Sequence, residues 1–260
     1  MSLKSTVLGE TLFRIHGRAG DPYFDNVSTW AQSNEFLIHA VGRYIQPGSV
    51  IFDIGANIGL TTCMFSKVAS QTRVFSFEPS PEAFGYLTQT IAENALENVA
   101  AHQFAFGAQS GSISFTVNAF SGAASHLAPA GKSLGQGNTL VEVQDLNSFI
   151  EREKISRLDF IKIDVEGFEL DVLEGGVEAL KRLRPIVFLE FNSFTLIAYG
   201  NRNPRALLEY LIDNFPFVYR FETGRLLPIR SEAEQLSFIH DNLIHRCCVD
   251  DLICSFGELT

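Results

Sequence analysis

Val50-Ile-Phe-Asp-Ile-Gly-Ala-Asn-Ile-Gly59 is an apolar run that ends in Asp-x-Gly-x-x-x-Gly and leads into a helical stretch over residues 60–69. An apolar run of this length bounded by glycine reads as a buried strand, so the segment predicts a strand, a tight turn and a helix. Gly55 permits the turn and lets backbone approach a ligand, because a Cβ would fill that space. Gly59 opens the helix, where free N–H groups and the dipole favour a carboxylate. Any tight strand-to-helix turn of an α/β protein reads in a similar way. A nicotinamide or flavin dehydrogenase is the nearest functional rival, but its G-x-G-x-x-G fingerprint, laid with Gly55 as the middle glycine, meets Asp53 and Ile58 at the outer positions.

Outward from this turn the chain alternates. Strands over 49–54, 73–77, 99–104, 158–163, 186–191 and 217–222 are interleaved with helices over 60–69, 81–93, 146–153, 169–183 and 204–215. Such alternation implies βαβ units and an α/β Rossmann-like fold, a mostly parallel central sheet with helices on both faces. Residues 112–117 alternate like one arm of an exposed hairpin, 121–137 form a loop rich in Gly, Ala and Ser, and 243–249 read as a last edge strand. Upstream, Phe36, Leu37, Val41, Tyr44 and Ile45 recur at helical spacing, predicting a helix over 33–45. Residues 1–48 are therefore read as a helical cap on a core of 49–260, within a single domain.

The totals narrow the function. A chain of 260 residues that is 46% hydrophobic, with 23 Phe, buries a substantial core. A net charge of -10 opposes binding to a phosphate backbone, so nucleic acid is a poor partner. The four cysteines make no metal-ligand pairing and fit a reducing cytoplasm. No run reaches the roughly eighteen apolar residues of a membrane span, and no signal peptide is evident, so a membrane role is not expected.

Two further motifs carry chemistry. In Phe75-Ser-Phe-Glu-Pro-Ser80, Glu78 stands at a strand end about twenty residues past the glycine turn, placed to accept the ribose hydroxyls of an adenosine-containing ligand, and Pro79 ends the strand. In Leu158-Asp-Phe-Ile-Lys-Ile-Asp-Val-Glu-Gly-Phe-Glu169, an apolar strand delivers Asp164, Glu166 and Glu169 into a loop with Gly167 at its turn. Carboxylates this close repel unless they meet a cation, an ammonium group or hydrogen-bond donors. Glu169 also has an ordinary role as a first-turn helix residue.

Together, Asp53-Ile-Gly-Ala-Asn-Ile-Gly59, Phe77-Glu-Pro79 and above all Ile161-Lys-Ile-Asp-Val-Glu-Gly-Phe-Glu169, followed by Val172-Leu-Glu-Gly-Gly176, resemble the FkbM family of class I methyltransferases. The resemblance runs from about Glu35 to Glu222. It implies a class I methyltransferase fold and methyl transfer from S-adenosylmethionine to a hydroxyl of a small molecule, sugar, glycan or polyketide. Carried over by position, it implies a cofactor-binding set of Asp53, Gly55, Ala56, Asn57, Gly59, Glu78, Pro79 and Asp164, with Asp164 and Glu166 facing the methyl group. Where such proteins often read Leu-Asp-Asp, this chain has Asp145-Leu-Asn-Ser148, which leaves the role of Asn147 open.

An alcohol acceptor must lose a proton, and a positioned base can supply about 10²- to 10⁴-fold. Asp164 and His126, the latter in Ser121-Gly-Ala-Ala-Ser-His126, compete for that role. His16, His39 and His102 read as structural, and Arg202 and Arg205 as a solvated helix start. No metal is assigned, a divalent ion on Asp164, Glu166 and Glu190 being the lesser option. The acceptor pocket is expected from 1–48 and 121–137, and a homo-oligomer is compatible with the sequence. A module that binds S-adenosylmethionine without turnover is the alternative function.

Overall fold

The computed structural model describes residues 2–116, 125–128 and 138–259. The chain opens on a hairpin, β1 (Ser2–Leu8) and β2 (Thr11–Gly17), followed by α1 (Pro22–Asp25) and α2 (Val27–Gly42). Then come β3 (Val50–Ile54), α3 (Leu60–Lys67), β4 (Arg73–Phe77), α4 (Pro81–Glu93) and β5 (Val99–His102). A smaller sheet follows from β6 (Ala105–Phe106), β7 (Gly111–Thr116), β8 (His126–Ala128) and β9 (Asn138–Gln144). The rest is α5 (Leu146–Arg152), β10 (Phe160–Ile163), α6 (Glu169–Gly175), α7 (Val177–Leu183), β11 (Ile186–Asn192), α8 (Ser193–Ala198), α9 (Pro204–Asn214), β12 (Phe217–Glu222), β13 (Arg225–Pro228), α10 (Glu232–His245) and β14 (Val249–Ser255).

The main sheet has the order β13-β12-β14-β11-β10-β3-β4-β5, with β5, β4, β3, β10 and β11 parallel and β14 reversed between β11 and β12. Strand order changes direction between β3 and β10, the kind of switch point at whose carboxyl edge open α/β sheets bind ligands. Alternate strand residues enter separate cores. Phe52, Ile161, Leu189 and Leu252 pack with α5, α6, α7 and α9 on one face, whereas Ile51, Phe160, Phe188 and Ile253 pack with the hairpin, α1, α2 and α3 on the other. The first face holds a nest of rings in which Phe52, Phe77 and Phe149 meet at centroid separations of 5.1–5.9 Å.

Several elements differ from the sequence reading. The N-terminal region is not wholly helical: it begins with a hairpin, and α2 starts at Val27 because buried Val27 and Ala31 extend its apolar stripe backwards. The strand expected over 99–104 ends at His102 as β5 of the main sheet, and the chain then starts the small sheet at β6, just past the expected range. The helix expected over 169–183 breaks at Gly176, where a Cβ would meet Leu146 Cδ2 at 2.6 Å. The edge strand expected over 243–249 is wrong. Residues 243–248 end α10 and turn, and the strand is Val249–Ser255, whose Asp250 is buried against Arg220 Nε at 2.8 Å and masks the apolar pattern. Of the loop expected over 121–137, residues 121–124 and 129–137 lie outside the described residues; His126–Ala128 form a strand.

Candidate functional site

A cavity of about 380 Å³ opens at the carboxyl ends of β3, β4 and β10. The turn after β3 builds one wall. The amides of Gly55 and Ala56 both donate to the Phe77 carbonyl, each at 3.0 Å, so these N–H groups fasten the turn to β4 rather than facing a ligand. Gly55 adopts φ +81°, and a Cβ there would lie 1.8 Å from the Asp164 carbonyl oxygen. Its glycine is therefore demanded by the neighbouring strand end, not by ligand approach. Gly59, at φ +94°, faces Leu87 and Thr90 of α4 and does not line the cavity.

Glu78 closes the next wall. It is buried, with one carboxylate oxygen accepting the Asn57 amide at 2.9 Å and the other the Ser80 amide at 2.8 Å. A carboxylate has roughly four lone-pair sites, so two remain for hydroxyl donors from the cavity. Burial raises its pKa to about 7 against the lowering effect of those two amides.

Asp53 does not reach the cavity. Its side chain is fully buried, accepting the Thr61 hydroxyl at 2.9 and 3.0 Å and the Thr62 hydroxyl at 2.6 Å, with Lys162 Nζ 3.9 Å away. The expectation of direct cofactor contact gives way to one of support: Asp53 pins α3 to the turn. Lys162 is the link between the two chemical loops. Its ammonium lies 3.1 Å from Asp164 Oδ2 and 3.4 Å from the Gly55 carbonyl, and it lines the cavity. Burial pulls its pKa down, but Asp164 and Asp53 outweigh that and raise it.

Strand alternation puts Asp53, Lys162, Glu190 and Asp251 on one face, that of the N-terminal hairpin. Asp164 follows Ile163, the last residue of β10 paired with β11, and its side chain is 37% exposed. Glu190 is the register partner of Asp251 across β11 and β14. Asp164, Glu166, Glu190 and Asp251 all line the cavity. Burial, then the neighbouring carboxylates, raises Glu166 to about 8, Asp251 to about 7 and Glu190 well above the ordinary range. Glu169 is fully buried beneath them, and one of its oxygens accepts the amides of Val165 and Gly167, both at 3.2 Å, shaping the loop that presents Asp164 and Glu166.

The N-terminal segment and the small sheet enclose this floor. Tyr23, Trp30, Ser33, Asn34 and Leu37 line the cavity from one side, and Phe115, Ser125, His126 and Leu127 from the other. His126 is buried in β8, not solvated, and its ring stacks on Tyr199 at 3.7 Å and 4°.

Of the sequence-derived residues, Gly55, Ala56, Asn57, Glu78, Pro79, Asp164, Glu166 and His126 converge on the cavity. Arg202 and Arg205 do not: Arg202 pairs with Asp171 at 2.5 Å, and Arg205 with Glu209 at 2.7 Å. Asn147 accepts the Ala179 amide at 2.9 Å, so it docks the start of α7. Tyr23 and Trp30 fall in the 1–48 region expected to shape the acceptor pocket, whereas Lys162 and Asp251 line the cavity without having been singled out in the sequence. A lysine inside the apolar run Phe160-Ile-Lys-Ile163 was the available signal, since a buried lysine needs a partner.

A switch-point cavity, a strand-end carboxylate at Glu78 and a turn tied back on β4 define a protein with the class I methyltransferase fold. The chain belongs to the FkbM methyltransferase family: residues 53–219 match the Methyltransferase FkbM domain. It is 30% identical over 138 residues to the hexuronic acid methyltransferase AglP of Haloferax volcanii, covering 53% of this chain and 54% of that one. It is 28% identical over 193 residues to the 2-O-methyltransferase NoeI of Sinorhizobium fredii, covering 69% of this chain and 77% of that one. The match thus spans about half the length of the first relative. Among solved structures, an FkbM methyltransferase from Methylobacillus flagellatus shares the fold at a TM-score of 0.50 and 16% identity, over 81% of this chain and 44% of that one.

Proposed function

We propose that this protein transfers the methyl group of S-adenosylmethionine to a hydroxyl of a sugar, glycan or other small molecule. The single observation that carries this reading is that one cavity at the carboxyl edge of the sheet is lined by Glu78 after β4 together with Asp164, Glu190 and Asp251. Glu78 retains acceptor capacity for vicinal ribose hydroxyls, and the pocket volume falls within the few hundred Å³ of small-ligand sites. Bound S-adenosylmethionine supplies an activated methyl group on a sulfonium. The protein's own part is to orient the acceptor, exclude water and receive a proton.

Asp164 is the base we assign. Its carboxylate is partly open to the cavity and is held in place by Lys162 at 3.1 Å. Glu166, raised to about 8 by burial, carries a proton near neutrality and donates a hydrogen bond to an acceptor oxygen, and burial with the neighbouring carboxylates likewise shifts Glu190 upward. His126, fixed by Tyr199, is the second candidate to receive the proton. The name of AglP, a hexuronic acid methyltransferase, supports a sugar-type acceptor, and that of NoeI, a 2-O-methyltransferase, supports oxygen as the methylated atom. We read the chain as one domain, supported by the shared core of Leu8, Phe13 and Ile15 with Ile51, Phe65 and Phe160. Among the described residues no helix is long and apolar enough to cross a membrane. A cytoplasmic site of action is proposed on the four free thiols.

The test is a screen of hydroxylated sugars and natural products with methyl-labelled cofactor, run on wild type and Asp164→Asn. We expect labelled product that falls by roughly 10²-fold or more in the variant. Tight S-adenosylhomocysteine binding with no labelled product from any acceptor would leave a binding module instead.

A further inference from the structure

The floor of the cavity poses a problem in electrostatics. Glu190 and Asp251 face each other across the β11–β14 ladder, and like charges in direct register destabilise a sheet. Asp164 and Glu166 add two more carboxylates at the adjoining strand end, and burial disfavours ionising any of these groups without a compensating charge. Lys162 is the one ammonium or guanidinium group lining the cavity among the described residues, and it is already engaged by Asp164 and Asp53.

A single metal ion does not resolve this. A metal needs three or more ligand atoms gathered around one point, and among the described residues the one such group of His, Cys, Asp or Glu, with atoms within 4.8 Å, is His240, Asp241 and His245 on α10. None of those three lines the cavity. Asp251 and Glu190 instead stand on the neighbouring strands β14 and β11, and Asp164 just past the end of β10, so the three follow the roughly 4.8 Å separation of neighbouring strands. They are set out across adjacent strands, and aromatic rings of Trp30, Phe188 and Phe221 also border the space. Spread carboxylates beside aromatic walls match a ligand several atoms long that carries hydroxyls and a positive charge.

We propose that this row selects the methyl acceptor by charge, favouring an amine-bearing polyol over a neutral one and excluding a polyol that bears a carboxylate. The inference rests on the methyl-transfer reading above and names the substrate class of the same cavity. An ammonium group lets Glu190 and Asp251 ionise together, whereas an acceptor carboxylate would enter a cavity already crowded with acids.

A matched series tests this on protein saturated with S-adenosylhomocysteine. Methyl 6-amino-6-deoxyglucoside, methyl glucoside and methyl glucuronide place an ammonium, a hydroxymethyl and a carboxylate at one position of the same ring, and calorimetry reads their binding. We expect the amine to bind at least tenfold more tightly than the glucuronide, with the neutral sugar between. In the double variant Glu190→Gln, Asp251→Asn the three should draw within about threefold of one another. The variant should also melt no lower than wild type above pH 7, because it loses an opposed pair of acids. A glucuronide bound as tightly as the amine, no binding by any of the three, or an unchanged ranking in the double variant would overturn charge selection. Failure of S-adenosylhomocysteine itself to bind would instead defeat the underlying methyl-transfer reading.

Discussion

Gly55 and Asp164 approach so closely that a Cβ on the first would stand 1.8 Å from the carbonyl oxygen of the second. The contact is backbone against backbone, so no side-chain rotation can relieve it, and Gly55 also occupies the left-handed region at φ +81°. Gly55→Ala should therefore push apart the two loops that carry Asn57 and Asp164. Overpacking of this kind costs about 1–3 kcal/mol, and strain at φ > 0 adds to it, so Tm should fall by roughly 5 °C or more. Cofactor affinity should fall with it. Differential scanning calorimetry with and without S-adenosylhomocysteine checks both, and an unshifted Tm would mean that the loops separate at no cost.

Glu78 carries two loads. Its carboxylate ties the Asn57 amide to the Ser80 amide while presenting its free lone pairs to the cavity. Charged hydrogen bonds contribute about 1.5–3 kcal/mol each, so Glu78→Ala should weaken S-adenosylhomocysteine binding by about 10- to 100-fold. Because the buried amides also lose their acceptor, the variant should melt lower in the absence of ligand, which sequence position alone did not suggest. Glu78→Gln, which keeps a carbonyl acceptor, should recover part of the Tm but little of the affinity. Equal affinity in Glu78→Gln and wild type would remove the ionised carboxylate from cofactor binding.

The fold was largely legible because its central parallel strands are buried on both faces and read as continuous apolar runs: Val50–Ile54 and Arg73–Phe77 lie within a residue of where the pattern puts them, as does the antiparallel Phe217–Glu222. Illegible parts share a cause. Ser2–Leu8 and Thr11–Gly17 form a hairpin with one covered face, and Val249–Ser255 carries Asp250 and Asp251, so polar residues interrupt the run in each case. Within the site, Gly55 and Glu78 were visible as residue types out of place in a strand-to-helix junction. Lys162 was hidden because its need for Asp53 and Asp164 is a cross-strand relation, and Asp53 was misplaced because an acid at a strand end looks the same whether it faces ligand or core.

Acid–base behaviour should report on the cavity floor. Burial first, and neighbouring carboxylates second, hold Glu166 at about 8 in the folded protein against an ordinary value of 4.5, and Asp251 at about 7 against 3.8. Such groups retain protons in the fold that the unfolded chain releases, so stability is greatest below about pH 4.5 on their account and declines until about pH 8. Unliganded protein should thus melt lower at pH 8 than at pH 6. Glu166→Gln should flatten the slope. A Tm that rises between pH 6 and pH 8 in wild type, or an undiminished slope in the variant, would contradict the burial of these acids.

Lys162 offers the sharpest separation of structure from chemistry. Its ammonium is enclosed, 3.9 Å from an Asp53 carboxylate with no solvent exposure and 3.1 Å from the partly open Asp164. Removing one partner of a buried pair leaves the other charge uncompensated, at a cost of about 3–5 kcal/mol. Lys162→Met should accordingly lower Tm by about 10 °C, since each kcal/mol is worth roughly 2–4 °C in a chain of this size. Asp53 is responsible for most of that penalty, because Asp164 can still meet water. Thr61 and Thr62 donate to Asp53 but carry no charge, so they cannot replace the lysine. The double variant Asp53→Asn, Lys162→Met should therefore regain several degrees over Lys162→Met alone, while Asp164→Asn, Lys162→Met should regain little. Turnover should divide the other way. Restoring the core through Asp53→Asn leaves Asp164 without its anchor, so kcat stays low even where Tm recovers. Recovery of both together would make Lys162 a packing residue only, and recovery of neither would place its compensating partner elsewhere.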